Sequence, residues 1–124
     1  MITEITMQDM MESQSNEDTN VRVVMFYGPG CGPCKATIPN YELASNFFEE
    51  RGARIRFFKI NAWEPAEQAN YCRETWGVEG VPHFKVFCKG QLIKEKIGGG
   101  DEPAMRQFMQ EIVDEAFKVF QERN

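Results

Sequence analysis

The clearest signal along the chain is Val21-Arg22-Val23-Val24-Met25-Phe26-Tyr27, almost continuously apolar and rich in β-branched and aromatic residues. Such a run predicts a central strand covered on both faces. It stops at Gly28-Pro29-Gly30. From Cys31 to about Arg51 the spacing turns helical, with Ile38, Tyr41, Leu43, Ala44, Phe47 and Phe48 as the apolar stripe. Pro39 predicts a kink in it and Gly52 a stop. Ile55 to Ile60 reads as the next strand, and Glu64 to about Trp76 as a helix with Ala66, Ala69, Cys72 and Trp76 on its apolar face. Upstream, Ile2 to Ile5 suits a short strand, Thr6 caps a helix from Met7 to about Ser13, and Ser13 to Asn20 is a polar loop.

The last third changes character. Phe84 to Cys88 and Gln91 to Ile97 are strand-like and joined only by Lys89-Gly90, so they pair as an antiparallel hairpin. After Gly98-Gly99-Gly100, Asp101 caps a helix from about Glu102 to Glu122. Its inner stripe is Met105, Phe108, Met109, Ile112, Val113, Ala116, Phe117 and Phe120. Alternating strands and helices followed by a hairpin predict an α/β domain over residues 1–124, a mixed sheet with helices on both faces.

Composition narrows the chemistry. A chain of 124 residues buries roughly two-thirds of its unfolded surface and folds without a disulfide scaffold, which leaves its four cysteines available for other work. A net charge of -5 argues against nucleic acid or anionic membrane as a partner. Glu4 stands where a signal peptide has a basic flank, and no stretch is long and apolar enough to span a bilayer, so a soluble, cytoplasmic protein is expected. In a reducing compartment, cysteines point to metal, catalysis or packing.

Cys31-Gly32-Pro33-Cys34 follows the central strand and opens a helix. With Lys35 and Pro39 after it, Lys59 in the next strand and Gly80-Val81-Pro82 before a hairpin, the order and spacing resemble the thioredoxin family over essentially the whole chain. The resemblance implies a thioredoxin fold: four to five strands, about four helices, three layers α/β/α. It also implies a redox-active pair. At a helix N-terminus, unpaired N–H groups and the macrodipole favour a thiolate, so Cys31 is the expected nucleophile. Cys34, one turn on, is the resolving thiol. The alternative, a metal half-site, lacks a second Cys or His pair. By resemblance the Val81–Pro82 bond is cis and offers the Val81 backbone to an extended substrate; otherwise Pro82 is a trans proline opening an edge strand. The expected substrate surface is Gly30, Gly32, Pro33, Val81, Pro82 and His83.

Three positions depart from the family. Gly30 replaces the usual tryptophan, and Met25 the buried aspartate that helps deprotonate the resolving cysteine, leaving Lys59 as the ionisable group for proton transfer or electrostatics. His83 either titrates beside Cys31 or is an exposed strand residue. Cys72 and Cys88 read as small core hydrophobes, or alternatively as a second, regulatory disulfide.

Ile97-Gly98-Gly99-Gly100-Asp101-Glu102 looks like the glutathione-holding segment of glutaredoxins, against the alternative of a flexible turn plus helix cap. A third reading makes the fold a protein-binding adaptor with incidental thiols. The thioredoxin resemblance leads: a protein-disulfide reductase with no bound cofactor or metal, a monomer, taking electrons from an NADPH-dependent flavoprotein thioredoxin reductase. Phe117 and Phe120 offer an alternative dimer contact.

Overall fold

The computed structural model describes residues 1–13 and 21–122, the side chains of 119–122 excepted. The polar loop expected from Ser13 to Asn20 therefore lies, past Ser13, outside the described residues, as does the Phe120 side chain.

Five strands form one sheet in the order β1 (Ile2–Ile5), β3 (Ile55–Asn61), β2 (Val21–Tyr27), β4 (His83–Cys88), β5 (Gln91–Ile97). The first three are mutually parallel, while β4 runs antiparallel to both β2 and β5. Helices α1 (Met7–Ser13) and α3 (Ala66–Trp76) cover one face, and α2 (Gly32–Glu50) and α4 (Glu102–Glu122) the other. The alternation of β2 explains the layering. Val23 and Met25 point into the α2/α4 core, Val24 and Phe26 into the α1/α3 core, and all four are buried. On the α2/α4 side the buried Tyr41 hydroxyl reaches the Phe58 carbonyl at 3.0 Å and its ring meets Phe57 and Phe84 edge-on.

Several expected core positions are corrected. Leu43 is 57% exposed, because Tyr41, Ala44, Ser45 and Phe48 share a helical face that a residue two after Tyr41 cannot join. Phe117 is 61% exposed, one step round α4 from the buried Ala116. Helix α3 starts at Ala66, not Glu64, since Asn61 Oδ1 accepts the N–H groups of Trp63 and Glu64 (2.9 and 3.0 Å) and holds them in a turn. Ala66 is exposed, and Gln68 is buried in its stead. The Gln68 amide accepts from Met7 N–H and donates to the Asn61 carbonyl, both at 2.9 Å, tying α1, β3 and α3 together.

Cys72 and Cys88 are both buried thiols. Cys72 belongs to the α1/α3 core and Cys88 to the α2/α4 core, so the sheet separates them and they form no second disulfide. Burial pushes the Cys72 thiol up to about 11.

Candidate active site

The β2 strand ends at Tyr27, and the turn that follows delivers Cys31 to the start of α2. The Cys31 amide donates to the Gly28 carbonyl at 3.2 Å, and Gly30 turns the chain with φ +83°, a conformation suited to glycine. Cys31 is itself the helix N-cap: its extended backbone precedes the first turn and its Sγ accepts the Cys34 N–H at 3.2 Å. Pro33 occupies the first turn, where its missing N–H is not needed. Cys31 and Cys34 are joined by a disulfide with Cα atoms 5.2 Å apart. Cys31 is 6% exposed and Cys34 1%, so Cys31 is the more accessible residue of the pair.

Val81 stands against this pair, with its carbonyl oxygen 3.9 Å from Cys31 Sγ. The Val81–Pro82 bond is cis, as the resemblance implies; Glu64–Pro65 is also cis, which the sequence reading did not foresee. The Pro82 carbonyl accepts the Gly98 N–H at 2.9 Å, anchoring the loop to the end of β5. Gly32 and Pro33 are exposed beside the sulfurs, and Gly30 faces open space.

Met25 lies beneath, fully buried in the same cluster as Cys31 and Cys34. Its register partner on β3 is Lys59, and the next partner, on β1, is Glu4. Lys59 Nζ sits 5.4 Å from the Tyr27 ring, and the Tyr27 hydroxyl donates to the Glu4 carboxylate at 2.7 Å. Burial, then the bond and charge of Glu4, raise the Tyr27 pKa above its ordinary value. Lys59 thus belongs to a Glu4/Tyr27 group, and its register with Met25 places it on the disulfide side of the sheet.

His83 fits neither sequence expectation. It is buried, and it pairs with Phe26, so its side chain lies on the α1/α3 side of the sheet, away from the sulfurs. Its Nε2 is 3.1 Å from Glu95 Oε1, the same oxygen that receives the buried Lys85 ammonium. The Lys85 hydrogen bond is the largest influence holding the Glu95 carboxyl below its usual range, with the charge of Lys85 and the contacts of His83 adding to it. A depressed carboxyl pKa contributes stability above the unfolded value of about 4.3, and that contribution is lost as pH falls through the folded one. Glu95→Gln should therefore cost about 1 kcal/mol at neutral pH, kept small because Glu95 is nearly half exposed. Urea melts of variant and wild type should converge in acid.

The 97–102 segment is not a flexible turn. Gly99 packs so tightly on α2 that a Cβ would fall 1.9 Å from Thr37 Oγ1, and the Gly100 carbonyl accepts from Asn40 Nδ2 at 3.1 Å. Asp101 Oδ1 accepts the Ala104 N–H at 2.9 Å. The cap expectation holds.

Trp63 was missed by the sequence reading. Half exposed in the β3–α3 loop, it packs on the backbone of the turn before Cys31: a Cβ at Gly28 would lie 2.1 Å from its ring. Among the described residues no cluster of three or more His, Cys, Asp or Glu side chains suits a metal ion. Nor is any helix there long and apolar enough to cross a membrane.

Comparison with known proteins agrees with this arrangement. The Thioredoxin family model matches residues 2–111. The protein disulfide-isomerase of Gallus gallus is 41% identical over 68 residues, 55% of this chain and 12% of that protein. The protein disulfide-isomerase of Arthroderma benhamiae is 38% identical over 84 residues, 68% of this chain and 15% of that one. The chain thus spans under a sixth of the length of these relatives. The crystal structure of Malassezia sympodialis thioredoxin superposes with a TM-score of 0.69 at 25% identity, covering 94% of this chain and 91% of that one.

Proposed function

Since the chain belongs to the thioredoxin family, we propose that it is a thiol–disulfide oxidoreductase that reduces protein disulfides by cycling Cys31 and Cys34 between dithiol and disulfide. The observation that carries this is the placement of the Cys31–Cys34 bridge at the N-terminus of α2 beside the Val81 carbonyl. In the reduced state, the helix terminus and the Cys34 N–H stabilise a Cys31 thiolate. That thiolate attacks one sulfur of a substrate disulfide held along the Val81 backbone; an S–S bond forms, the substrate's own S–S bond breaks, and the departing thiolate takes a proton. Cys34 then loses its proton and attacks Cys31 Sγ, releasing the second substrate thiol. Two electrons and two protons pass to the substrate, and the chain ends with the Cys31–Cys34 disulfide.

The cycle needs no bound cofactor or metal, and electrons return from an NADPH-dependent flavoprotein thioredoxin reductase. Gly32, Pro33 and Val81 form the contact surface around the sulfurs, and Pro82 beside Val81 is buried. The working unit is a monomer, because both thiols, the helix terminus and the Val81 backbone come from one chain. Two further cysteines kept as buried thiols suit a reducing compartment such as the cytoplasm.

The test is reduction of insulin disulfides with NADPH and thioredoxin reductase, alongside glutathione with glutathione reductase. Turnover with the first system supports the reading. Turnover only with glutathione, or an unchanged cellular role in the Cys31→Ser, Cys34→Ser double variant, would replace it by the glutathione-dependent or adaptor reading.

A further inference from the structure

Glu4, Lys59 and Met25 lie in one row across the sheet, as register partners on β1, β3 and β2. Strands in such a row stand about 4.8 Å apart, so a carboxylate and an ammonium on neighbouring strands ordinarily meet. Here they do not. The Tyr27 hydroxyl, on the strand beyond Lys59, donates to both oxygens of Glu4 at 2.7 and 2.8 Å. Among the described residues Lys59 makes no ion pair, and the contact that places its ammonium is the Tyr27 ring at 5.4 Å.

Resting on the oxidoreductase reading above, we infer that Tyr27 is a positioning residue for the reaction centre: its hydroxyl holds the Glu4 carboxylate off Lys59, so the ammonium keeps its charge for the thiolates formed at Cys31 and Cys34. The register of Lys59 with Met25, which is buried in one cluster with both cysteines, puts it on their side of the sheet. A thioether at position 25 cannot neutralise the ammonium, so Glu4 is the carboxylate that could. Tyr27 is suited to restrain it. Burial and the bond to Glu4 raise the phenol above its ordinary value, so it stays protonated, and a donor, while thiols of about 8.5 titrate. On α2, Lys35, Ile38 and Glu42 share a stripe that faces β1, because Glu42 accepts the Ile2 N–H at 3.3 Å. Glu42 also lies 3.8 Å from the N-terminal ammonium, so it is engaged two residues back along β1 from Glu4. The charged and titratable groups facing Lys59 are thus Glu4 on β1, Tyr27 on β2, and Lys35 and the engaged Glu42 on α2.

The test is alkylation of Cys31 in the reduced protein, followed by mass across pH at low salt, in the wild type, Tyr27→Phe, Glu4→Gln and the double variant. Phenylalanine keeps the ring against the ammonium and removes the hydroxyl, which releases Glu4 to pair with Lys59. The midpoint of Tyr27→Phe should rise by about half a pH unit, an about threefold slower reaction on its acid side, and the rise should shrink in high salt. Glu4→Gln has no carboxylate to release. Its midpoint should match the wild type or lie below it, and adding Tyr27→Phe should change nothing. A Tyr27→Phe midpoint that does not rise, a rise that persists without Glu4, or a rise in Glu4→Gln alone overturns the positioning role. These titrations need no substrate, so the oxidoreductase reading fails separately, if the wild type reduces no insulin.

Discussion

Replacing Cys34 by serine should convert the protein into a trap: mixed disulfides between Cys31 and substrate proteins accumulate, while steady-state reduction falls at least about a thousandfold. The reason is geometric. Cys34 is almost fully buried and its N–H already touches Cys31 Sγ, so in the folded chain no other thiol is placed to attack that sulfur. A serine hydroxyl in the same position is too weak a nucleophile to displace it. Non-reducing electrophoresis and mass analysis of adducts report the outcome, with Cys31→Ser as the counterpart that should form none. Adducts on Cys72 or Cys88, or undiminished turnover, would dismantle the two-thiol cycle.

The second large effect is expected at position 25. Met25→Asp places a carboxyl in a fully buried site beneath the disulfide, with Lys59 as its register partner on β3. Desolvation raises such a carboxyl's pKa, so the variant should lose about 2–4 kcal/mol of stability at neutral pH. The sign follows from the raised folded value: the penalty grows as pH rises above the unfolded value of about 3.9 and vanishes below it. Urea denaturation at neutral and acidic pH measures this directly. The same carboxylate would take the Cys34 proton that a thioether cannot, so turnover near neutral pH should rise despite the lost stability. Equal turnover in the two proteins would mean that proton removal from Cys34 is not limited by what occupies position 25.

Much of this arrangement is legible in the chain because it depends on local pattern. The uninterrupted apolar run of β2, the two-residue connection between β4 and β5, and a CxxC between a strand and a helix each constrain their neighbours at short range. What escaped depends on partners distant in sequence. His83 follows the active-site proline, and only the pairing of β4 with Phe26 on one side and the reach to Glu95 on the other reveals that it is buried away from the sulfurs. Leu43 and Phe117 are apolar but sit off the faces that meet the sheet, a matter of a single helical step. Trp63 acquires meaning only when the β3–α3 loop folds onto Gly28, an approach that nothing in the local sequence announces.

The placement of the four sulfurs also fixes how much oxidation the folded chain can store. Cys72 is screened from the reactive pair by the thickness of the sheet. Cys88 shares their side, but it pairs with Val21 at the far end of β2, six residues from Tyr27 and so about 20 Å along the strand. Internal shuffling would require the sheet to come apart. Each intact molecule is therefore a two-electron vessel, with a stoichiometry set by architecture rather than by its cysteine count.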